Sequence, residues 1–240
     1  MHHGGMKKVL HKAGERGGGD YGWLRTNYSF SFASWYDPTR MGFGVLRVIN
    51  DDWIAPHQGF GAHPHKDMEI ITIVTSGVLS HQDSMGNAGT IPAGDVQVMS
   101  AGSGVVHAEE NRSDEPLTLF QMWIEAKEKN TMPRYEQRAM RLDQESAGAR
   151  LVVGPPGTLD ALTINQDAFL YQIVLLEGGV DHYVPSTPGR GIYFFVLDGD
   201  VTVAEEELHA RDALGLEEAE EVVLSSSTGA RVLVFDVPMP

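Results

Sequence analysis

Apolar positions along the chain fall into short runs broken by turn residues. Among them are GVLRVI, EIITIVT, LTLFQMWI, YQIVLLE, IYFFVLD and RVLVFDV, rich in β-branched and aromatic side chains. Such runs, bounded by Gly, Pro and Asp, predict strands, and many short strands at regular turn spacing predict a sandwich or barrel. Helical periodicity is scarce. Only DQESAG at 143–148 and TLDALT at 158–163 predict helices, both short.

The strand-forming runs divide into two weakly similar units. TSGVLSHQD followed by IPAGDVQVMSAG in the first resembles VLDGDVTVA followed by LHARDALGLEEA in the second, so that Gly77 matches Gly199 and Asp95 matches Asp212. Between them KEKN, MPRYEQ and VGPPGT read as a connector. The expected organisation is an N-terminal domain over 1–125, a connector over 126–168 and a C-terminal domain over 169–240. The fold class is all-β: two stacked jelly-roll barrels with few short helices.

Composition narrows the function. Eighteen basic against 33 acidic residues give a net charge of −15, and the basic residues are scattered, which argues against direct nucleic-acid binding. No apolar run approaches the roughly 18 residues of a membrane span, so no membrane partner is expected. Cysteine is absent, which excludes disulfides and thiolate ligands and fits a cytoplasmic location. The opening MHHGGM lacks an apolar signal region; residues 1–5 read as an added leader before Met6, and His2 and His3 are given no function.

The candidate chemistry lies in two pairs. His63 and His65 flank Pro64, and His107 and Glu109 repeat the same spacing. Side chains at i and i+2 of a strand share a face, so each pair presents two ligands in one direction. Pro64 cannot donate to a sheet ladder, which places the first pair on an edge strand or a bulge at a barrel mouth. Three imidazoles and a carboxylate suit Fe, Ni, Cu, Mn or Zn and leave positions open. Glu109 is preferred to Glu69 as the carboxylate, because a straight strand carries Glu69 about 13 Å beyond His65. Asp67 and Glu69 remain candidates for orienting an imidazole. Phe60 and Met122 are considered for the mouth, with simple core as the alternative. The matching positions of the second unit, near Pro185 and at Leu224 and Ser226, carry no ligands, although His182 is close.

Residues 27–111, and above all FGAHPHKDMEIIT, HQDSMGN and GDVQVMSAGSGVVHAE, resemble the N-terminal domain of pirins in the cupin superfamily. The likeness weakens after PRYEQ, where the second unit takes the place of a C-terminal cupin domain. Ala108 stands where many relatives have a small hydroxyl residue, and the step from Glu69 to Gly77 is one longer than the general cupin pattern. The resemblance implies a bicupin with one divalent transition metal in its first barrel, held by His63, His65, His107 and Glu109. Fe(II) is the first choice, with Ni, Cu, Mn or Zn as alternatives.

The bacterial branch with quercetinase-like activity is the nearest group. It implies 2,3-dioxygenation of a flavonol such as quercetin by O2, with release of carbon monoxide and with Glu109 as ligand and catalytic base. The alternative is a non-catalytic metal-dependent sensor acting through a protein partner. A purely structural metal is disfavoured, because such zinc sites usually close with thiolates.

Overall fold

A computed structural model of the chain describes residues 6–144 and 146–239. The leader reading of 1–5, with His2 and His3, lies outside the described residues. In chain order the strands are β1 (Lys7–His11), β2 (Gly17–Asp20), β3 (Leu24–Tyr28), β4 (Leu46–Ile54), β5 (Gly59–His65), β6 (Met68–Ser76), β7 (Val78–Asp83) and β8 (Ala88–Pro92). They continue with β9 (Val96–Ser100), β10 (Val105–Glu110), β11 (Leu117–Glu125), β12 (Arg134–Arg138), β13 (Gly148–Gly154), β14 (Leu162–Thr163) and β15 (Phe169–Leu175). The last are β16 (Val180–Tyr183), β17 (Gly191–Gly199), β18 (Val201–Val203), β19 (Glu206–Leu208), β20 (Ala213–Glu217), β21 (Val222–Ser225) and β22 (Ala230–Val237).

These strands build two jelly-roll barrels, each from a seven-stranded and a four-stranded sheet. The first combines β12-β9-β6-β11-β4-β3-β2 with β5-β10-β7-β8; the second combines β1-β20-β17-β22-β15-β13-β14 with β16-β21-β18-β19. The two orders correspond strand for strand, with an exchange at the edges. β1, from the start of the chain, completes the second barrel's large sheet, while β12, from the 126–168 stretch, completes the first's.

The internal repeat is visible in the backbone. Gly77 and Gly199 both sit at positive φ, 79° and 77°, and a Cβ on either would lie 2.6 Å or less from a backbone oxygen. The Val74 amide donates to the Asp95 carbonyl just as that of Val196 donates to Asp212. The ligand positions correspond less closely to the sequence register. Leu224 on β21 lies opposite Asp181, not near Pro185, and His182 is an exposed residue beside Glu221.

The expected helices are not formed. Asp143 and Gln144 lie in a turn, Gly148 opens β13, and Leu162–Thr163 is strand β14; among the described residues the only helical element is a 3-10 turn at Ala13–Glu15. Segments this short do not offset the cost of helix nucleation, and Gly148 and Gly157, at φ 103° and 90°, favour turns instead.

Strands such as EIITIVT read as continuous apolar runs because both of their faces are covered. The large sheets pack against each other, so Ile71, Ile73, Phe120 and Met122 share a core with Tyr193, Phe195 and Phe235. The alternate residues point into the barrels. The second barrel's interior is mostly apolar, with Ile173, Phe194, Val196, Leu224 and Val234. In the first barrel, two small apolar clusters, around Leu79 and Ile91 and around Ile70 and Met99, leave polar residues between them. Buried Asn50, Asp52, Thr72, His81, Gln97, His107 and Glu109 all belong to this barrel. Among the described residues both groups of possible metal ligands lie in this barrel.

Candidate metal centre

β5 is the edge strand of its sheet, so Pro64 costs no ladder bond to a further neighbour. His63 lies directly opposite His107 on β10, and the two predicted pairs do face each other. The ring centroids of His63 and His107 are 4.4 Å apart; that of His65 is 4.9 Å from His63 and 4.8 Å from His107. One ligand nitrogen from each of the three lies within 4.8 Å of the others. His63 Nδ1 is 2.7 Å from the Gly61 carbonyl, which makes it the donor nitrogen and leaves Nε2 free for a ligand.

Glu109 follows a register shift after His107 and sits opposite His81 of β7. Its Oε2 is 4.0 Å from His107 Nε2 and accepts a 2.7 Å hydrogen bond from the Gln121 amide. The carboxylate forms a second group with His81 and His107, again with ligand atoms within 4.8 Å of one another. Thus His63, His65 and Glu109 line one cavity, His107 stands behind them, and Glu109 groups with His81 and His107 rather than with His63 and His65.

The chemistry of these atoms fits a metal ion. His65 Nε2, both His107 ring nitrogens and Glu109 Oε1 are buried without a hydrogen-bond partner, a costly arrangement that an ion relieves by taking the lone pairs of His65 Nε2, of Glu109 and of one His107 nitrogen. Burial, reinforced by the neighbouring imidazoles, pushes the His65 pKa down to about 4 and that of His107 to about 3. Both are therefore neutral at pH 7, as metal binding requires. Burial also raises the proton affinity of Glu109, opposed by the Gln121 hydrogen bond and by His81.

His63, His65 and Glu109 open onto a cavity of about 450 Å³. Trp23, Phe32, Phe60 and Trp123 give it flat apolar walls, while Asn50, Asp52 and Gln121 supply polar positions. Burial raises the Asp52 pKa to about 7, against a hydrogen bond donated by Thr26 Oγ1 at 2.5 Å. Trp123 packs edge-on to His65, with centroids 4.9 Å apart, and its Nε1 donates to Gln121 Oε1 at 3.3 Å.

Phe60 does line this cavity. Met122 does not: it faces the core between the barrels, and its neighbours Gln121 and Trp123 face inward instead. Neither Asp67 nor Glu69 touches the imidazoles. Asp67 accepts the Asn130 amide in a turn, and Glu69 shares the face of Ile71 and Ile73, where Ser100 donates to it at 2.6 Å. Sequence reading missed His81 and Asp83, although their i,i+2 spacing repeats that of both predicted pairs.

Two back-to-back jelly-roll barrels with a histidine cluster in one define a bicupin. The pirin family matches residues 9–124, and the family described as quercetinase C-terminal cupin domain matches residues 151–237. A quercetin 2,3-dioxygenase of Escherichia coli (strain K12) is 43% identical over 231 residues, 95% of this chain and 98% of that one. A pirin-like protein of Caulobacter vibrioides is 42% identical over 221 residues, covering 92% and 95%. The crystal structure of the bacterial pirin YhhW in complex with nickel(II) from Escherichia coli superposes with a TM-score of 0.92 at 41% identity, over 98% of this chain and 100% of that one. The chain belongs to the pirin family. Among the described residues no helix is long and apolar enough to cross a membrane.

Proposed function

We propose that this pirin is a metal-dependent dioxygenase that opens flavonols such as quercetin at the 2,3-bond with O2 and releases carbon monoxide. The observation that carries the reading is the cluster of His63, His65 and His107, with Glu109 alongside, at an aromatic-walled cavity that His63, His65 and Glu109 line. These four residues would hold one divalent ion, Fe(II) in first place and Ni, Cu, Mn or Zn otherwise. When bound, the ion supplies Lewis acidity toward the substrate oxygen and access to O2 chemistry. Relatives named as quercetin 2,3-dioxygenases, and a nickel(II) complex of a 41% identical pirin, support the same reading.

Each residue has a physical task. A cavity of about 450 Å³ falls within the approximately 300–1,000 Å³ typical of small-molecule sites. Trp23, Phe60 and Trp123 offer faces and edges to a planar aromatic ligand. Glu109 accepts the proton of the flavonol 3-hydroxyl; its burial, which raises its proton affinity, suits it to that role. Gln121 keeps the carboxylate in place by donating to one oxygen and leaving the other free.

The test is metal analysis joined to O2 uptake and carbon monoxide detection on a flavonol panel, with Fe-, Ni-, Cu- and Mn-loaded protein. Turnover by at least one loaded form is expected. Retained metal with no turnover by any form would overturn the dioxygenase and leave the non-catalytic sensor.

A further inference from the structure

The row of ligands does not end at Glu109. The inward faces of β5, β10 and β7 form a continuous strip, with His63 opposite His107 and Glu109 opposite His81. His81 is buried, and its ring centroid is 5.5 Å from that of His107. Its ligand atom and those of His107 and Glu109 lie within 4.8 Å of one another.

His81 is also oriented like a ligand. Its Nε2 lies 3.0 Å from Asp83 Oδ2. The Asp83 carboxylate accepts the backbone amides of Met85 and Asn87 and the Asn87 side-chain amide, so it acts as an acceptor toward His81 as well. The His81 proton therefore sits on Nε2, and Nδ1 is left with a bare lone pair, buried and without a partner. Tyr135 stacks on the ring at 4.9 Å and fixes its plane. A carboxylate pinning one nitrogen while the other stays free is how proteins orient metal-binding imidazoles.

We propose that the first barrel contains a second metal position, formed by His81, His107 and Glu109, beside the one formed with His63 and His65. The proposal rests on the metal-centre reading above and extends it. His107 belongs to both groups of ligand atoms, and a neutral imidazole offers one lone pair, so the positions are alternatives for a single ion. Their donor sets differ. The outer set is rich in imidazole and suits Ni(II), Cu(II) and Zn(II); the inner one is a two-histidine, one-carboxylate set with a larger share of oxygen and more open positions, which suits Mn(II). The identity of the ion thus selects where it sits.

Mn(II) and Ni(II) titrations of the metal-free full chain separate the positions. His81→Ala and His81→Gln should weaken Mn(II) binding by roughly 10–100-fold and change Ni(II) little, whereas His65→Ala should show the opposite preference. His81→Gln keeps a side-chain amide for Asp83, and its circular dichroism and melting temperature report whether the barrel is intact. Wild-type affinity for both ions in a folded His81→Gln protein would overturn the proposal. Anomalous scattering from wild-type crystals soaked in Mn(II) asks the same question without substitution: a peak next to His81 is expected, and a peak confined to His63, His65 and His107 overturns it. If the unsubstituted protein binds neither ion, the metal-centre reading itself fails, before any variant is compared.

Discussion

Gln121 donates to Glu109 at 2.7 Å and accepts from Trp123 at 3.3 Å, so the cavity wall and the carboxylate are mechanically one unit. A hydrogen bond to a carboxylate favours its charged form, and Gln121 supplies one to a group whose burial disfavours charge. Gln121→Leu removes that donor while keeping volume. The Glu109 pKa should then rise further, so half-maximal Ni(II) binding should move to higher pH. At neutral pH the affinity should fall by roughly 10–100-fold. Calorimetric titration across a pH series reads both effects, and an unchanged pH profile would show that Gln121 does not tune the carboxylate.

Glu109→Gln should damage turnover more than metal retention. A neutral amide oxygen still coordinates weakly and the imidazoles continue to anchor the ion, but the proton acceptor is gone. General-base catalysis is typically worth about 10²–10⁴-fold, which sets the expected loss in O2 uptake on quercetin. His65→Ala should reduce metal content and turnover together. Glu69→Gln is the control, because Glu69 faces the core between the barrels and keeps its acceptor for Ser100. If Glu69→Gln empties the site and Glu109→Gln leaves it intact, the carboxylate has been misassigned.

The second barrel offers a stability test that should leave the metal alone. Buried Asp236 receives Arg190, the Tyr183 hydroxyl at 2.8 Å and the Ser186 amide at 2.7 Å. Asp236→Ala would leave the Arg190 guanidinium, itself buried, without its main counter-charge. Breaking such a pair costs about 3–5 kcal/mol, so the urea midpoint should drop clearly while Ni(II) stoichiometry in native buffer is retained. Loss of metal from a folded variant would show that the barrels are coupled more tightly than their separate interiors suggest.

The strands were legible because burial of both sheet faces writes continuous apolar runs such as IYFFVLD into the chain. His63, His65, His107 and Glu109 were legible because i,i+2 spacing is a local signal. What escaped depends on pairing between distant segments. Which of Gln121, Met122 and Trp123 faces the cavity is set by strand parity, and the β11 register shifts near both ends against its neighbours. The docking of β1 on β20 joins Lys7 to Glu217, a relation no local pattern announces. Asp52 lies next to Asp51 in sequence, yet Asp51 meets Arg16 and Arg211 while Asp52 faces the buried cavity.

That contrast leads to a pH prediction. Burial raises the Asp52 pKa from its ordinary 3.8 to about 7, with smaller contributions from Asp51 and Glu109 and a counteracting Thr26 hydrogen bond. An acid whose folded pKa is raised binds its proton more tightly in the native state than in the unfolded chain. Stability from this group is therefore complete below about pH 4, declines as pH rises, and is lost above about pH 7. Asn at this position is neutral at every pH and keeps the oxygen that accepts from Thr26. Asp52→Asn should thus match the wild-type metal-free protein in acid and exceed it at pH 8. The gain there should be on the order of a few kcal/mol, since every tenfold increase in proton affinity on folding corresponds to about 1.4 kcal/mol. Urea unfolding of both proteins across this pH range measures the difference directly. A gap that is constant with pH would show that Asp52 binds its proton equally well in the folded and the unfolded chain, and that the cavity is wetter than its apolar walls imply.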